Sequence, residues 1–370
     1  MITRLFMAAV VVLATWSVSV QGQSTPTPPV PAMRLVLAED LDCEAAVAEF
    51  EAALREARAQ RVGLLVVELG GNESRLDLVN RMGAVLRDVE LPTVAWLDGG
   101  EDQRVGPGQA ALALFAQRVL VRDRLVIAGS ARNESELLVE SPPPWDVIVD
   151  ELHDRLLARL DPRAAKLAWP LVGRLGTGFI VTGEGASRVE IAEVIPPAGR
   201  SITRDVDGRV ALSMTAKDMH EVGVAEAVLR DWSAASKHLK VGPRVITRQI
   251  DVSATRTRAE AERSLTRIGD QTQAAERALD LPDPSRRSVA PSRYREAAGR
   301  ARRSLDEAES ALDALEAALV RVPEVMRTPA PGQGRLDRPS GYATKWRSLI
   351  RGHRSDHARL DTKARLFAAQ

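Results

Sequence analysis

The segment Val62–Leu69 constrains the fold of this chain strongly, because it is apolar on both sides of its backbone. Its sequence, VGLLVVEL, is almost continuously apolar over the length of one strand. A strand with one face in water alternates apolar and polar residues, whereas a strand covered on both faces does not. We therefore expect a parallel sheet that lies between layers of helices.

The surrounding sequence alternates strand-like and helical segments, which is typical of βαβ units. The helix predicted over residues 43–59 has an apolar face that includes Ala46, Val47 and Phe50. We expect an α/β domain over residues 33–242 with these elements: strands at 34–38, 62–69, 92–97, 119–121, 125–127, 179–182, 189–195 and 210–212, and helices at 43–59, 76–89, 109–117, 146–160 and 216–222.

Residues 1–22 have the layout of a signal peptide, with Arg4 before an apolar run from Leu5 to Val20 and small residues near Gly22. The run is shorter than the roughly 20 apolar residues that span a bilayer. We expect a cleaved leader and export to the periplasm or cell envelope, with retention as an anchor as the alternative. Residues 23–32 are rich in proline and threonine and predict a linker.

Composition limits the chemistry that the chain can carry. Cys43 is the single cysteine, so no intramolecular disulfide forms. The sequence has no Cys/His cluster at metal-ligand spacing, and we expect neither a metal nor a cofactor. A formal net charge of +1 gives no reason to expect a nucleic-acid partner.

Residues 254–322 change in composition to alanine, arginine and glutamate. Apolar residues recur there by threes and fours, for example at Leu305, Leu312 and Leu319, on both sides of a proline-rich break at 281–291. This pattern predicts an antiparallel helical hairpin of coiled-coil type. We expect it to be structural or to mediate oligomerisation, with binding of a dedicated partner as the alternative.

Residues 328–370 predict a Pro/Gly linker followed by a basic tail. From Arg335 to Gln370 the chain has nine lysine and arginine residues against three aspartates, interleaved with Tyr342, Trp346 and Phe367. Such a tail is either solvated and disordered or a peripheral contact with an anionic membrane surface.

Three segments together resemble the ClpP-like domain of NfeD-type membrane proteases and signal-peptide peptidase A. In the first, the strand at Val66 runs into Gly70-Gly71 and then into a helix that ends at Arg87. The second joins PTVAW at residues 92–96 to the Gly-Pro-Gly turn and alanine-rich helix of residues 106–119. The third is ALSMTAKDMHEVGVAEAV at residues 211–228. The resemblance implies a ClpP/crotonase fold of repeated ββα and βαβ units, a serine peptidase ancestry and homo-oligomers.

The same resemblance implies an oxyanion site at Gly70, Gly71 and Gly108, since glycine lets backbone amides approach a developing charge. A tight turn into the next helix is an equally good explanation for Gly70-Gly71. The family's serine falls on Pro107, and no residue from Val105 to Leu114 has a hydroxyl or thiol. The nucleophile is therefore missing from its expected position.

Other candidate catalytic groups are weak. Ser74 and Ser130 are hydroxyls near the predicted cleft, and neither has a base beside it in sequence. The first histidine beyond the turn is His153, on a predicted helix, and Lys166 fits a solvated helix face better than a catalytic base.

Three functional hypotheses follow. The first is a non-catalytic, exported ClpP/NfeD-like scaffold that binds polypeptide or assembles with itself. The second is a serine endopeptidase with a non-standard active site. The third is an envelope tether that acts through the hairpin and the basic tail.

Overall fold

The structure, a computed structural model, describes residues 30–129, 145–160, 162, 164–172, 179–182, 189–192, 200–206, 209–282, 289–331 and 340–370. The predicted leader, most of the predicted 23–32 linker and Ser130 lie outside these residues.

The described residues form an α/β unit followed by long helices. The strands are β1 Val30–Leu37, β2 Leu64–Leu69, β3 Thr93–Leu97, β4 Arg104–Val105, β5 Arg118–Arg122, β6 Val126–Gly129, β7 Phe179–Thr182, β8 Val189–Ala192, β9 Arg200–Ser201, β10 Thr203–Val206, β11 Arg209–Thr215, β12 Ala227–Leu229 and β13 Val241–Gln249. The helices are α1 Glu44–Ala59, α2 Leu76–Arg87, α3 Pro107–Ala113, α4 Trp145–Leu157, α5 Ala168–Leu171, α6 Ala216–Glu221, α7 Trp232–His238, α8 Ala254–Ala278, α9 Pro291–Arg321 and α10 Ser340–Ala368.

The main sheet has six strands in the order β12-β5-β3-β2-β1-β13, and every neighbouring pair is parallel. All residues of β2 and β3 are buried, which confirms the sheet covered on both faces. Met33, Leu35 and Leu65 point to a core shared with α1, α2 and α3. Val66 and Trp96 point to a smaller core against α7 on the opposite face.

Two smaller sheets complete the α/β unit. One has the order β10-β11-β6-β4, and the other has the order β8-β7-β9. In the first, β6 pairs antiparallel with β11 and parallel with β4, and Gly129 at the end of β6 lies beside Pro107 at the start of α3.

Both predicted edges of the α/β domain need correction. β1 begins at Val30, inside the predicted linker, because Ala32 pairs with Leu64 on β2. The sheet also continues past Gly242, where the prediction ended the domain, because β13 pairs with β1 through Gln249. The pairing partners of these strands lie far away in sequence, so local composition did not reveal them.

Helices α8 and α9 run antiparallel to each other. Gln271 on α8 donates to Glu307 on α9 at 2.8 Å, and Tyr294 near the start of α9 donates to Pro282 O at 2.9 Å. The shared interior is rich in alanine and leucine, including Ala275, Ala301 and Leu305. Knobs-into-holes packing of a true coiled coil stays a prediction.

The predicted basic tail is different in the structure, because residues 340–368 form helix α10, which packs on α9. Trp346 is fully buried and its indole nitrogen donates to Thr328 O at 3.0 Å, while Arg354 pairs with Asp313 and Glu316 on α9. Phe367 meets Tyr294 edge to face. The aromatic and aliphatic residues of this segment share one face of a helix, which explains why it docks in spite of its charge. None of the described helices is long and apolar enough to span a bilayer.

Buried polar groups join the long helices to the α/β unit. Asp42, which is fully buried, accepts from the amides of Ala254 at 2.5 Å and Thr255 at 2.9 Å, the first residues of α8. A carboxylate at this place satisfies free amides at the start of a helix. Arg75 on the α/β side pairs with Glu324, just after α9, at 3.6 Å.

Candidate functional site

The carboxyl ends of β1, β2 and β3 open into a cleft of about 320 Å³. Ligand sites of parallel sheets lie at this edge, outside the strand ends. Glycines and acidic residues predominate in the lining, which consists of Ala38, Glu39, Asp40, Gly70, Gly71, Asn72, Gly99, Gly100, Glu101 and Asp102. The Gly-Gly turn singled out in the sequence therefore lies in the cleft.

Both amides of that turn already have acceptors inside the protein. The Gly70 amide donates to Leu37 O at 3.0 Å. The Gly71 amide donates to Oε1 of Gln109 at 3.1 Å, in a buried hydrogen bond. An oxyanion site requires amides that are free to receive a developing negative charge. In this structure the two donors predicted on the Gly-Gly turn are occupied.

Gln109 fills the space behind the Gly-Gly turn. Its side chain is fully buried, and its Nε2 donates to Glu39 O at 2.9 Å while its Oε1 accepts from Gly71. A Cβ on Gly71 would lie 2.1 Å from that Nε2 and 2.3 Å from Glu39 O. Glycine at position 71 is therefore needed for the close approach of the Gln109 side chain.

The position of the expected nucleophile holds a buried proline. Pro107 is the first residue of α3, a position where a missing N–H costs nothing and the fixed φ favours the helix. Gly108 follows it, and a Cβ there would lie 2.7 Å from Ser74 Cβ. Gly108 thus serves close packing against Ser74. The structure contains no hydroxyl on the described turn Gly106–Gln109 itself.

Ser74 is the hydroxyl that packs against this turn. It is 2% exposed, and its Oγ has no hydrogen-bond partner among the described residues. A serine nucleophile needs a base within hydrogen-bond reach. Neither Lys166 nor His153 therefore forms a nucleophile–base pair with Ser74.

The other predicted candidates lie in structural environments. Lys166 is exposed on a 3₁₀ turn over Ala165–Leu167. His153 is buried on α4 and stacks on Trp169, with ring centroids 3.5 Å apart. Cys43 is buried, and desolvation raises the pKa of its thiol to about 12, so it is not a reactive thiolate.

The cleft has an acidic rim whose charges are partly engaged. Asp40 accepts from the amides of Asn72 at 3.0 Å and Glu73 at 2.8 Å, which holds the loop after Gly71. Glu39, also in the lining, pairs with Arg256 on α8 at 3.2 Å. Among the described residues, no group of three His, Cys, Asp or Glu side chains could hold a metal ion.

Gln109 is a site residue that the sequence did not predict. A weak signal was present, because Gln109 is the one polar residue in the run from Gly106 to Ala116. Its two partners, however, lie 38 and 70 residues away in sequence.

No family model and no curated protein matches this chain. Among solved structures, the chain is similar to an alanine mutant of the 1510-N membrane-bound stomatin-specific protease in complex with a substrate peptide. The identity is 15%, the TM-score is 0.40, and the match covers 61% of this chain and 94% of that one. A second alanine mutant of that protease matches with 13% identity, a TM-score of 0.39, and coverage of 61% and 100%.

A third match is the 1510-N membrane protease specific for a stomatin homolog from Pyrococcus horikoshii. Its identity is 13%, its TM-score is 0.36, and the match covers 59% of this chain and 92% of that one. With all three TM-scores below 0.5, the α/β assignment rests on the strand order, the parallel registers and the buried strands described above.

Proposed function

We propose that this chain is a non-catalytic relative of the ClpP/NfeD-type serine proteases, exported to the cell envelope, where it acts as a scaffold that binds polypeptide. The observation that carries the proposal is the hydrogen bond that the Gly71 amide donates to the side chain of Gln109. An ancestral oxyanion site closed by a protein side chain cannot stabilise a tetrahedral intermediate without being dismantled.

The second support is the absence of nucleophile chemistry on the described turn. The resemblance puts the family's serine at Pro107, which begins α3, and the nearby Ser74 Oγ has no hydrogen-bond partner among the described residues. Export follows from the signal-peptide layout of residues 1–22, and polypeptide as the ligand class and self-assembly follow from the resemblance. The cleft of about 320 Å³ remains available beside the closed amides.

Digestion of unfolded casein tests the proposal. The mature chain is expected to leave casein intact over a time in which an active serine protease at the same concentration degrades it fully. Cleavage by the chain that is lost in a Ser74→Ala variant would overturn the proposal in favour of a serine peptidase with a non-standard site.

The tether hypothesis has a specific support in α10. Lys345, Arg347 and Arg351 are exposed on this helix and make no ion pair with the described residues. Basic residues beside a membrane attract anionic lipids. Because α10 also packs on α9, removal of the helix would change the fold as well as any membrane contact. Reversal of the three charges to glutamate is expected to reduce co-sedimentation with phosphatidylserine vesicles, and unchanged co-sedimentation would count against the tether.

A further inference from the structure

Within the described part of the chain, strand β13 is an open edge of the main sheet. It is the last strand in the order β12-β5-β3-β2-β1-β13, and it is nine residues long. The opposite edge, β12, has three residues, and short edge strands are one way in which proteins avoid unwanted pairing. β13 lacks that protection over most of its length.

The backbone of β13 offers hydrogen-bonding groups to a partner. The Ile250 amide donates to Val36 O on β1 at 2.9 Å. Alternate residues of a strand face the same neighbour, so Ile246 and Arg248 also face β1. The N–H and C=O groups of Val245, Thr247 and Gln249 therefore point away from the sheet.

The start of β13 is blocked and its second half is open. The register with β1 is irregular between Val241 and Val245, and Pro243 lies in this stretch. Bulges and prolines hinder strand addition at an edge. From Val245 to Gln249 the pairing with β1 is regular, and residues 246–249 are exposed, with Ile246 at 38%.

The side chains of the edge are basic. Arg244, Ile246 and Arg248 lie on one face of the strand, and Lys240 precedes them. Residues 240–249 contain no acidic residue. The nearby acids Asp251 and Glu39 pair with Arg256 instead, at 3.7 and 3.2 Å.

We propose that β13 binds an acidic, extended peptide segment of a partner protein by strand addition. The backbone groups of Val245, Thr247 and Gln249 supply the hydrogen bonds. Arg244 and Arg248 select acidic side chains four residues apart, on either side of an apolar residue against Ile246. This surface is separate from the cleft and does not depend on the proposed loss of catalysis.

A second copy of the chain fits this edge less well. Antiparallel pairing of two β13 strands would put both copies of Arg244 and Arg248 on one face of the joined sheet, without a carboxylate among them. Like charges on facing strands are destabilising. An acidic peptide has the complementary charge.

Fluorescence anisotropy with the full chain tests the proposal. The probe is a fluorescein-labelled peptide, Thr-Glu-Thr-Val-Thr-Glu-Thr, and its controls are the same peptide with lysine in place of glutamate and a backbone N-methylated version. The acidic peptide is expected to bind at least tenfold more tightly than either control, and its affinity should fall as salt is raised.

Variants locate the site. The double variant Arg244→Glu/Arg248→Glu and the variant Thr247→Pro, which removes an outward amide but no bond to β1, are expected to weaken binding at least tenfold. Lys237→Glu, an exposed charge reversal on α7, is the matched control and should bind like wild type. Thermal unfolding of each variant verifies the fold.

Three results would overturn the proposal. The first is equal binding of the acidic and basic peptides, and the second is wild-type affinity in the folded double variant. The third is a dimer in sedimentation velocity that Thr247→Pro converts to a monomer, which would show that a second copy occupies the edge.

Discussion

The amide of Gly71 donates to the side chain of Gln109, 38 residues away, at 3.1 Å. This bond joins the turn after β2 to the first turn of α3. Under the proposed function, this acceptor from the chain itself stands where the family resemblance implies an external oxyanion, and the turn serves packing instead of chemistry.

Truncation of Gln109 should therefore cost stability. Gln109→Ala leaves the buried Gly71 amide and the partly buried Glu39 O without their partner and opens a cavity, so we expect a loss of about 2–4 kcal/mol in the free energy of unfolding. Urea denaturation measures it. Gln117→Ala, on an exposed side chain of the same segment, is the control and should change stability by less than about 0.5 kcal/mol. Equal losses of stability in Gln109→Ala and Gln117→Ala would contradict a structural role of the Gln109 hydrogen bonds.

Truncation of Ser74, unlike truncation of Gln109, should not lower the free energy of unfolding. Ser74→Ala removes a buried polar group that has no hydrogen-bond partner among the described residues, so the variant should be as stable as wild type or more stable, by up to about 1–2 kcal/mol. A loss above about 1 kcal/mol would indicate a partner for the hydroxyl.

The contact between Ser74 and Gly108 predicts that a smaller residue at position 74 restores the stability lost in Gly108→Ala. Gly108→Ala places a Cβ 2.7 Å from Ser74 Cβ, and overpacking of this kind costs about 1–3 kcal/mol. The double variant Gly108→Ala/Ser74→Gly should recover most of the loss in urea denaturation, because Ser74→Gly removes the clashing Cβ. Additive losses in the double variant would contradict this packing.

Burial raises the pKa of Asp42 to about 6 in the folded protein, above its ordinary value of 3.8. A raised carboxyl pKa means that the folded state binds the proton more tightly than the unfolded state, so this group stabilises the fold below pH 4 and that contribution is lost as pH rises through 6. The free energy of unfolding of wild type, relative to that of Asp42→Asn, should therefore decrease as the pH rises from 4.5 to 7. Asp123→Asn, an exposed carboxyl, controls for general charge effects. A difference that is constant over this range would contradict the raised pKa.

Helix α10 should contribute to stability. Trp346→Ala removes a fully buried indole and its bond to Thr328 O, with an expected loss of about 3–5 kcal/mol in urea denaturation, whereas Arg347→Ala, next to it and exposed, should be neutral. A neutral Trp346→Ala would instead agree with a solvated tail.

The sequence predicted what depends on local pattern. The continuous apolar run at 62–69 and the apolar face of Ala46, Val47 and Phe50 are confirmed as β2 and α1. It did not predict what depends on distant partners, such as β13 on β1 or Gln109 on Gly71. For α10 the spacing of Tyr342, Trp346, Leu360, Ala364 and Phe367 was present in the sequence, but the density of basic residues obscured it.

The same distinction holds for the candidate site. The place of Gly70 and Gly71 at a strand end followed from the alternation of strands and helices. The occupation of their amides followed from three-dimensional packing alone, because no spacing rule links residue 71 to residue 109.

The most direct test of the central claim is the intact mass of the full chain after incubation with a fluorophosphonate, which reacts with activated serines. We expect an unmodified mass for wild type and for Pro107→Ser, because the Gly71 amide, one of the expected oxyanion donors, is held by the Gln109 side chain. A stoichiometric adduct on a serine of the wild-type chain would contradict the account.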